Sequence, residues 1–177
     1  MAERGASRQP DRRSGRQEGR GQPEDRGTVP AAVPAAAPGA VDPARPRPAH
    51  TKVVSLEELP RLLTGRGAVV LTNGCFDLLH AGHLKTLETA RSLGDVLVVG
   101  INSDASVRRL KGPGRPLVPQ QQRALLVAAL ECVDFVTIFD EDTAVRLVYT
   151  VRPAWYVKGG DYRLDQLPEA PAARQVG

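Results

Sequence analysis

The chain has 177 residues and a formal charge of +4, which allows one domain of ordinary size and little more. Residues 1–50 hold nine Arg, six acids, eight Pro and six Gly with no aromatic side chain, so the basic excess sits in a segment too poor in apolar surface to offset its ordering entropy. This argues against a basic nucleic-acid-binding fold and an apolar leader; with Ala124 to Leu130 as the longest aliphatic run, it also argues against a membrane span of ~20 residues.

The expectation is a cytoplasmic protein with a disordered Arg/Pro/Gly/Ala-rich tail over residues 1–50 and one folded domain over residues 51–177. Ser55 to Thr64 predicts a short helix, with Leu56, Leu59, Leu62 and Leu63 on one side and Ser55 as N-cap. Ala68 to Thr72 predicts a buried strand that stops at the Asn73-Gly74 turn. From Gly82 to Ser92 the residues Leu84, Leu87 and Ala90 recur at helical spacing, and Gly94 closes the element. Val96 to Ile101 is apolar throughout, the pattern of a parallel strand covered on both faces.

Asp104 to about Arg109 predicts a further helix, followed by a loop over Lys111-Gly112-Pro113-Gly114-Arg115-Pro116. Pro119 suits the first turn of the next helix, whose apolar face is read as Leu125, Leu126, Ala129 and Leu130. Phe135 to Phe139 predicts the third strand, Thr143 to about Val151 a helix, and Trp155 to Lys158 a fourth strand halted by Gly159-Gly160. Strands alternating with helices imply an α/β fold, a Rossmann-like doubly wound parallel sheet, in which ligands bind beyond the carboxyl ends of the strands. Cys75 and Cys132 lack the spacing of a zinc site or a disulfide framework and are expected to be small, buried and reduced.

The stretch after the first strand, Thr72-Asn73-Gly74-Cys75-Phe76-Asp77-Leu78-Leu79-His80-Ala81-Gly82-His83, carries the chemistry. The G-x-G-x-x-G and G-x-x-x-x-G-K-[ST] patterns are absent. His80 and His83, three apart at a helix start, share one face of its first turn beside N–H groups without helical partners. Gly82 keeps bulk away from them. Free donors, the positive helix end and two imidazoles make an anion site suited to a triphosphate. Zinc is a poorer reading, because no third ligand lies nearby in sequence.

This motif resembles the H-x-G-H nucleotidyltransferases, the cytidylyltransferase-like superfamily of glycerol-3-phosphate cytidylyltransferase and pantetheine-phosphate adenylyltransferase. Asn102-Ser103-Asp104, Arg109-Leu110-Lys111-Gly112, Arg115-Pro116, Gln122-Arg123, Val133-Asp134 and Val157-Lys158-Gly159-Gly160-Asp161-Tyr162 narrow the resemblance. Together they are similar to the adenylyltransferase domain acting on D-glycero-beta-D-manno-heptose 1-phosphate in ADP-heptose synthase, over about residues 53–168. The resemblance implies a HUP-like nucleotidyltransferase fold and transfer of AMP from ATP to a sugar 1-phosphate, with Mg²⁺ carried on the phosphates. It implies catalytic roles for His80, His83 and Lys111, and nucleotide contacts from Thr72, Asn73, Gly74, Phe76, Gly82, Arg123, Lys158 and Gly159. Asn102, Asp104 and Asp161 would meet the substrate; Asp77 would either hold its turn or orient a substrate group. Nucleic acid and membrane are not expected partners, and a homodimer is left open.

The family pattern continues past Gly-Gly-Asp-Tyr through another strand and a Ser/Thr-rich signature that opens a last helix. Residues 165–177, with Pro168, Pro171 and several Ala, contain neither. The expectation is therefore a domain apparently truncated at its C-terminus, whose fourth strand has an uncovered edge. The alternatives are a cytidylyltransferase acting on glycerol 3-phosphate or a similar alcohol phosphate, and an inactive nucleotide-binding module.

Overall fold

In the computed structural model, residues 47–160 and 167–176 are described. Four strands, β1 (Val69–Gly74), β2 (Val96–Asn102), β3 (Phe135–Phe139) and β4 (Trp155–Val157), form one parallel sheet in the order β3-β2-β1-β4. The switch point lies between β1 and β4, whose partners diverge to opposite sides. Around the sheet run α1 (Ala49–Lys52), α2 (Leu59–Leu63), α3 (Ala81–Arg91), α4 (Asp104–Lys111), α5 (Gln120–Ala128), α6 (Val145–Val151) and α7 (Ala170–Val176).

Alternation along the strands divides the core into two layers. Val69 and Leu71 of β1 join Leu59 and Leu63 of α2, Leu147 and Val148 of α6 and Ala172 of α7 on one face. Val70, with Leu97 and Val99 of β2, meets Leu87 and Ala90 of α3 and Ala124 and Val127 of α5 on the other. Both faces are covered, as the apolar β2 run requires. No described helix is long and apolar enough to cross a membrane.

Four expectations change. The first helix is only Leu59–Leu63, because Glu58 turns its carboxylate back onto Ser55 N and Oγ, both at 2.9 Å, and spends residues 55–58 in a turn. The inward face of α5 is Arg123, Ala124, Val127 and Ala128, while Leu125 and Leu126 are exposed. The 3.6-residue period admitted either stripe; buried acceptors for the Arg123 guanidinium select the observed one. At the N-terminal side, the helical turn of α1 falls at the last residues assigned to the tail, and Lys52 Nζ donates to Leu130 O at 3.2 Å and Val133 O at 2.8 Å. Residues 1–46 lie outside the described residues. Near the C-terminus, residues 165–177 do supply an element: α7 places Ala172 in the core against α6, with Pro171 in its first turn, where no N–H partner is needed. Among the described residues β4 remains an outer strand, with Trp155 54% exposed.

At the middle of β2, Gly100 lies between the ends of the strands and α6. A Cβ there would overlap Leu147 Cδ2 and stand 3.2 Å from Phe139 Cε1 and 3.3 Å from Asn73 Cβ. Gly100→Ala is expected to lower stability by about 1–3 kcal/mol in denaturant unfolding. Adding Leu147→Ala should cost less than the sum of the two single changes, since the larger cavity receives the new methyl.

Candidate functional site

At the switch point the carboxyl ends of β1 and β4 open into a cleft of about 1100 Å³. His80 stands at its rim in extended backbone, φ −141° and ψ 169°, as the N-cap of α3. Its Nδ1 accepts from Gly82 N at 3.1 Å, and its carbonyl accepts from His83 N at 2.9 Å and Leu84 N at 3.3 Å. The helix start is therefore not the row of free donors expected from sequence: three N–H groups are satisfied by His80 itself. The imidazoles become the donors. A Cβ at Gly82 would lie 3.0 Å from both Cε1 and Nδ1 of the capping ring, so a side chain there would press the ring aside by a few tenths of an ångström.

The two rings stack with centroids 3.9 Å apart at 29°, and Phe76 backs His83 at 5.1 Å and 49°. Phe76 holds that position from a left-handed backbone, φ 48°, strain of the kind that collects at functional sites. Because His80 Nδ1 uses its lone pair for the cap, the proton of its neutral ring resides on Nε2. His83 Nδ1 is buried without a partner among the described residues, so a proton there would be stranded and Nε2 is again the donor. Burial, and then the neighbouring His80, push the His83 pKa below the ordinary imidazole value.

Arg123 is placed differently from expectation. It is 1% exposed, with Nε donating to Val118 O at 2.8 Å, Nη1 to Cys75 O at 2.5 Å and Asn102 O at 2.9 Å, and Nη2 to Asp104 Oδ1 at 2.7 Å. With its donors so engaged, it is not among the residues that line the cleft but lies behind Cys75 and Asn102, which do. Asp104 is engaged by the same guanidinium and does not line the cleft. Asn102 does line it, and its Nδ2 donates to Ser106 Oγ at 3.0 Å.

Asp77 holds a loop. Its Oδ1 accepts from Leu117 N at 2.7 Å and Val118 N at 3.0 Å, and its Oδ2 pairs with Arg115 at 2.6 Å. Burial works against the carboxylate, but the Val118 amide, Arg115 and the Leu117 amide outweigh it and hold the pKa below the usual range. This tie brings Arg115 to the cleft wall beside Lys111, which closes α4 as its last helical residue and does not sit in the following loop.

On the far wall, Asn73 Oδ1 accepts from Tyr156 Oη at 2.6 Å and from Lys158 Nζ at 2.9 Å. Thr72 and Gly74 line the same wall. Gly159 passes close to α3, where a Cβ would stand 3.1 Å from Thr86 Cγ2, and Gly160 turns the chain at φ 87°. Asp161 lies outside the described residues. Cys75 and Cys132 are free thiols, partly exposed instead of buried, because one borders the cleft and the other a surface turn.

Sequence reasoning assigned no role to Arg115, Tyr156 or Glu169, all brought to or beside the cleft. Arg115 stood in a quoted motif and Tyr156 in the predicted fourth strand, but only their partners show what they hold; nothing in the sequence singled out Glu169. No group of three His, Cys, Asp or Glu side chains among the described residues has the arrangement of a metal site.

Comparison with known proteins yields one family: the profile described as cytidylyltransferase-like matches residues 71–173, more than half of the chain. Proteins named bifunctional protein HldE are similar to it. That of Geobacter sulfurreducens is 58% identical over 118 residues, 64% of this chain and 24% of the relative. That of Helicobacter pylori is 51% identical over 113 residues, again 64% and 24%. The chain thus spans about a quarter of the length of these relatives. The crystal structure of a lipopolysaccharide core biosynthesis protein from Thermoplasma volcanium superposes with a TM-score of 0.53 at 29% identity, covering 62% of this chain and 86% of that one.

A lowered His83 pKa fixes the sign of one pH effect. Below about 6.5 the unfolded chain takes up a proton on this ring before the folded chain does, so stability is full above that pH and declines as pH falls through the folded value. His83→Gln should flatten the decline between pH 6.5 and 5, read as melting temperature against pH in parallel with the parent.

Proposed function

The chain belongs to the cytidylyltransferase-like family, and from that premise we propose that it transfers AMP from ATP to a sugar 1-phosphate of the heptose 1-phosphate type, giving an ADP-sugar and pyrophosphate. The observation that carries this reading is the stacked His80–His83 pair, both rings directed to donate from Nε2, in the cleft at the switch point. The identity to HldE proteins and the Val157–Asp161 segment support the heptose branch over an alcohol-phosphate cytidylyltransferase.

In this reaction an oxygen of the sugar phosphate attacks the α-phosphorus of ATP, and the bond from that phosphorus to the β-phosphate bridging oxygen breaks. The nucleophile is already anionic, so the protein's work is alignment and charge stabilisation. His80 and His83 donate to phosphate oxygens. The lowered His83 pKa suits this, because a neutral ring donates without first drawing a proton from solvent. Lys111 and Arg115 balance charge along one wall, while Lys158, whose ammonium donates to Asn73 Oδ1, does so on the other. Thr72, Gly74 and Phe76 shape the nucleotide side, and Arg123 with Asp77 keeps floor and wall in register. Mg²⁺ would be carried by the triphosphate, whose charge it screens.

Pyrophosphate release should be observed with ATP and heptose 1-phosphate and be weak with CTP and glycerol 3-phosphate; the reverse preference would overturn the substrate assignment. His80→Asn separates two roles of one side chain, since Asn preserves an N-cap acceptor but lacks the Nε2 donor. It should melt close to the parent and turn over about 10²-fold more slowly, as should His83→Ala.

A further inference from the structure

Two ion pairs on the α4 side of the cleft have opposite polarity. In the first, Asp77 is turned inward: its side chain is 11% exposed, its Oδ1 is taken by the Leu117 and Val118 amides, and its Oδ2 holds Arg115 Nη1 at 2.6 Å. The guanidinium stands outward at 43% exposure, and its Nε and Nη2 have no partner among the described residues. In the second pair the order is reversed. Arg109 is not among the residues lining the cleft; it holds Asp142 Oδ1 from Nε at 2.8 Å and from Nη2 at 2.7 Å, while Asp142 lines the cleft with Oδ2 unpartnered among the described residues. Arg109 also donates to Asp140 O, and Ser106 Oγ, which accepts from Asn102 Nδ2 at 3.0 Å, donates to Glu141 O at 3.0 Å. The turn that carries Asp142 is thus fastened to α4 and to the end of β2.

A carboxylate repels phosphate and accepts from hydroxyls, so one presented to a cleft that also holds Lys111, Arg115 and Lys158 marks the uncharged, hydroxyl-bearing part of a ligand. The other two carboxylates among the described lining residues, Asp77 and Glu169, are spent on backbone amides, whereas Asp142 is half-exposed. Topology separates this place from the nucleotide: Asp142 follows β3, at the opposite margin of the sheet from β4, while the nucleotide reading uses the ends of β1 and β4. A triphosphate brings its own divalent cation. The acceptor phosphate brings none and needs one from the protein, and the Nε–Nη2 edge of a guanidinium meets it with two parallel donors.

We propose that this wall is the acceptor subsite: Arg115, held by Asp77, binds the phosphate of the second substrate, and Asp142, held by Arg109, binds hydroxyls of its sugar. The arrangement suits a polyhydroxylated phosphate ester. It deepens the nucleotidyltransfer reading and rests on it for the identity of that second substrate; the binding itself stands apart from turnover.

Calorimetric titration of the full chain with inorganic phosphate and with heptose 1-phosphate, each beside magnesium and the α,β-methylene analogue of ATP, separates the two contacts. Arg115→Ala should weaken both probes about tenfold or more. Arg115→Lys, which keeps the charge and loses the fork, should fall between it and the parent, and it carries the phosphate arm if the Ala variant folds poorly. Asp142→Ala should weaken heptose 1-phosphate by a similar factor and leave inorganic phosphate unchanged or tighter. It should melt close to the parent, because its ion pair is exposed. A parent that binds neither probe, an Arg115→Ala protein that binds both as before, or an Asp142→Ala protein that loses both alike or neither overturns the subsite. The two readings fail separately. Pyrophosphate release with a KM for heptose 1-phosphate unmoved by both Ala substitutions sustains the transferase and refutes the subsite, whereas the expected binding losses without pyrophosphate from any substrate pair sustain the subsite and refute the transfer.

Discussion

One buried guanidinium holds the working end of the sheet together. Arg123 reaches the end of β1 through Cys75 O, the end of β2 through Asn102 O, the loop before its own helix through Val118 O, and the start of α4 through Asp104. Each acceptor belongs to a different element or loop at that end of the sheet. A charge placed at 1% exposure tolerates no partial arrangement, because a lost partner leaves an uncompensated ion in the interior. The geometry of the site is thus enforced by the same rule that makes the residue costly to bury.

Much of the fold was legible because its strands are continuous apolar runs, each closed by a turn signal. Asn73-Gly74, Gly94 and Gly159-Gly160 mark ends that the structure keeps to within a few residues. The His80–His83 pair was legible from spacing alone. What escaped the sequence shares one physical character: a polar side chain whose meaning depends on acceptors distant in the chain. Arg123 reads as a surface or phosphate-binding cation until its four acceptors are seen, and its burial also misdirects the reading of α5, whose Leu125 and Leu126 mimic a core stripe. Glu169 sits in a stretch whose Pro and Ala content suggested no element, since a seven-residue helix is too short to show a period.

His80 illustrates how two local requirements converge on one residue type. A helix start needs an acceptor to satisfy its first amides, and an anion site needs a donor. Imidazole alone among the uncharged ring side chains offers both, on opposite nitrogens, so capping through Nδ1 sets the direction of Nε2. Stacking on His83, itself backed by Phe76, then fixes the plane. Asp77 does the corresponding work for the opposite wall by tying the Arg115–Val118 loop with a single carboxylate.

The two margins of the sheet are unequal. Beyond β3, Val53 bridges Val136 and Val54 N donates to Val136 O at 2.9 Å, so upstream chain seals that side. Among the described residues, the three of β4 are paired to β1 alone, and Trp155 stands there as the only tryptophan in the sequence. The outer strand of the described sheet therefore carries a native fluorophore, Trp155, 54% exposed. Capture of that strand by another chain would shift its emission to shorter wavelength, whereas melting of the sheet would shift it to longer wavelength, so one optical signal separates association from unfolding.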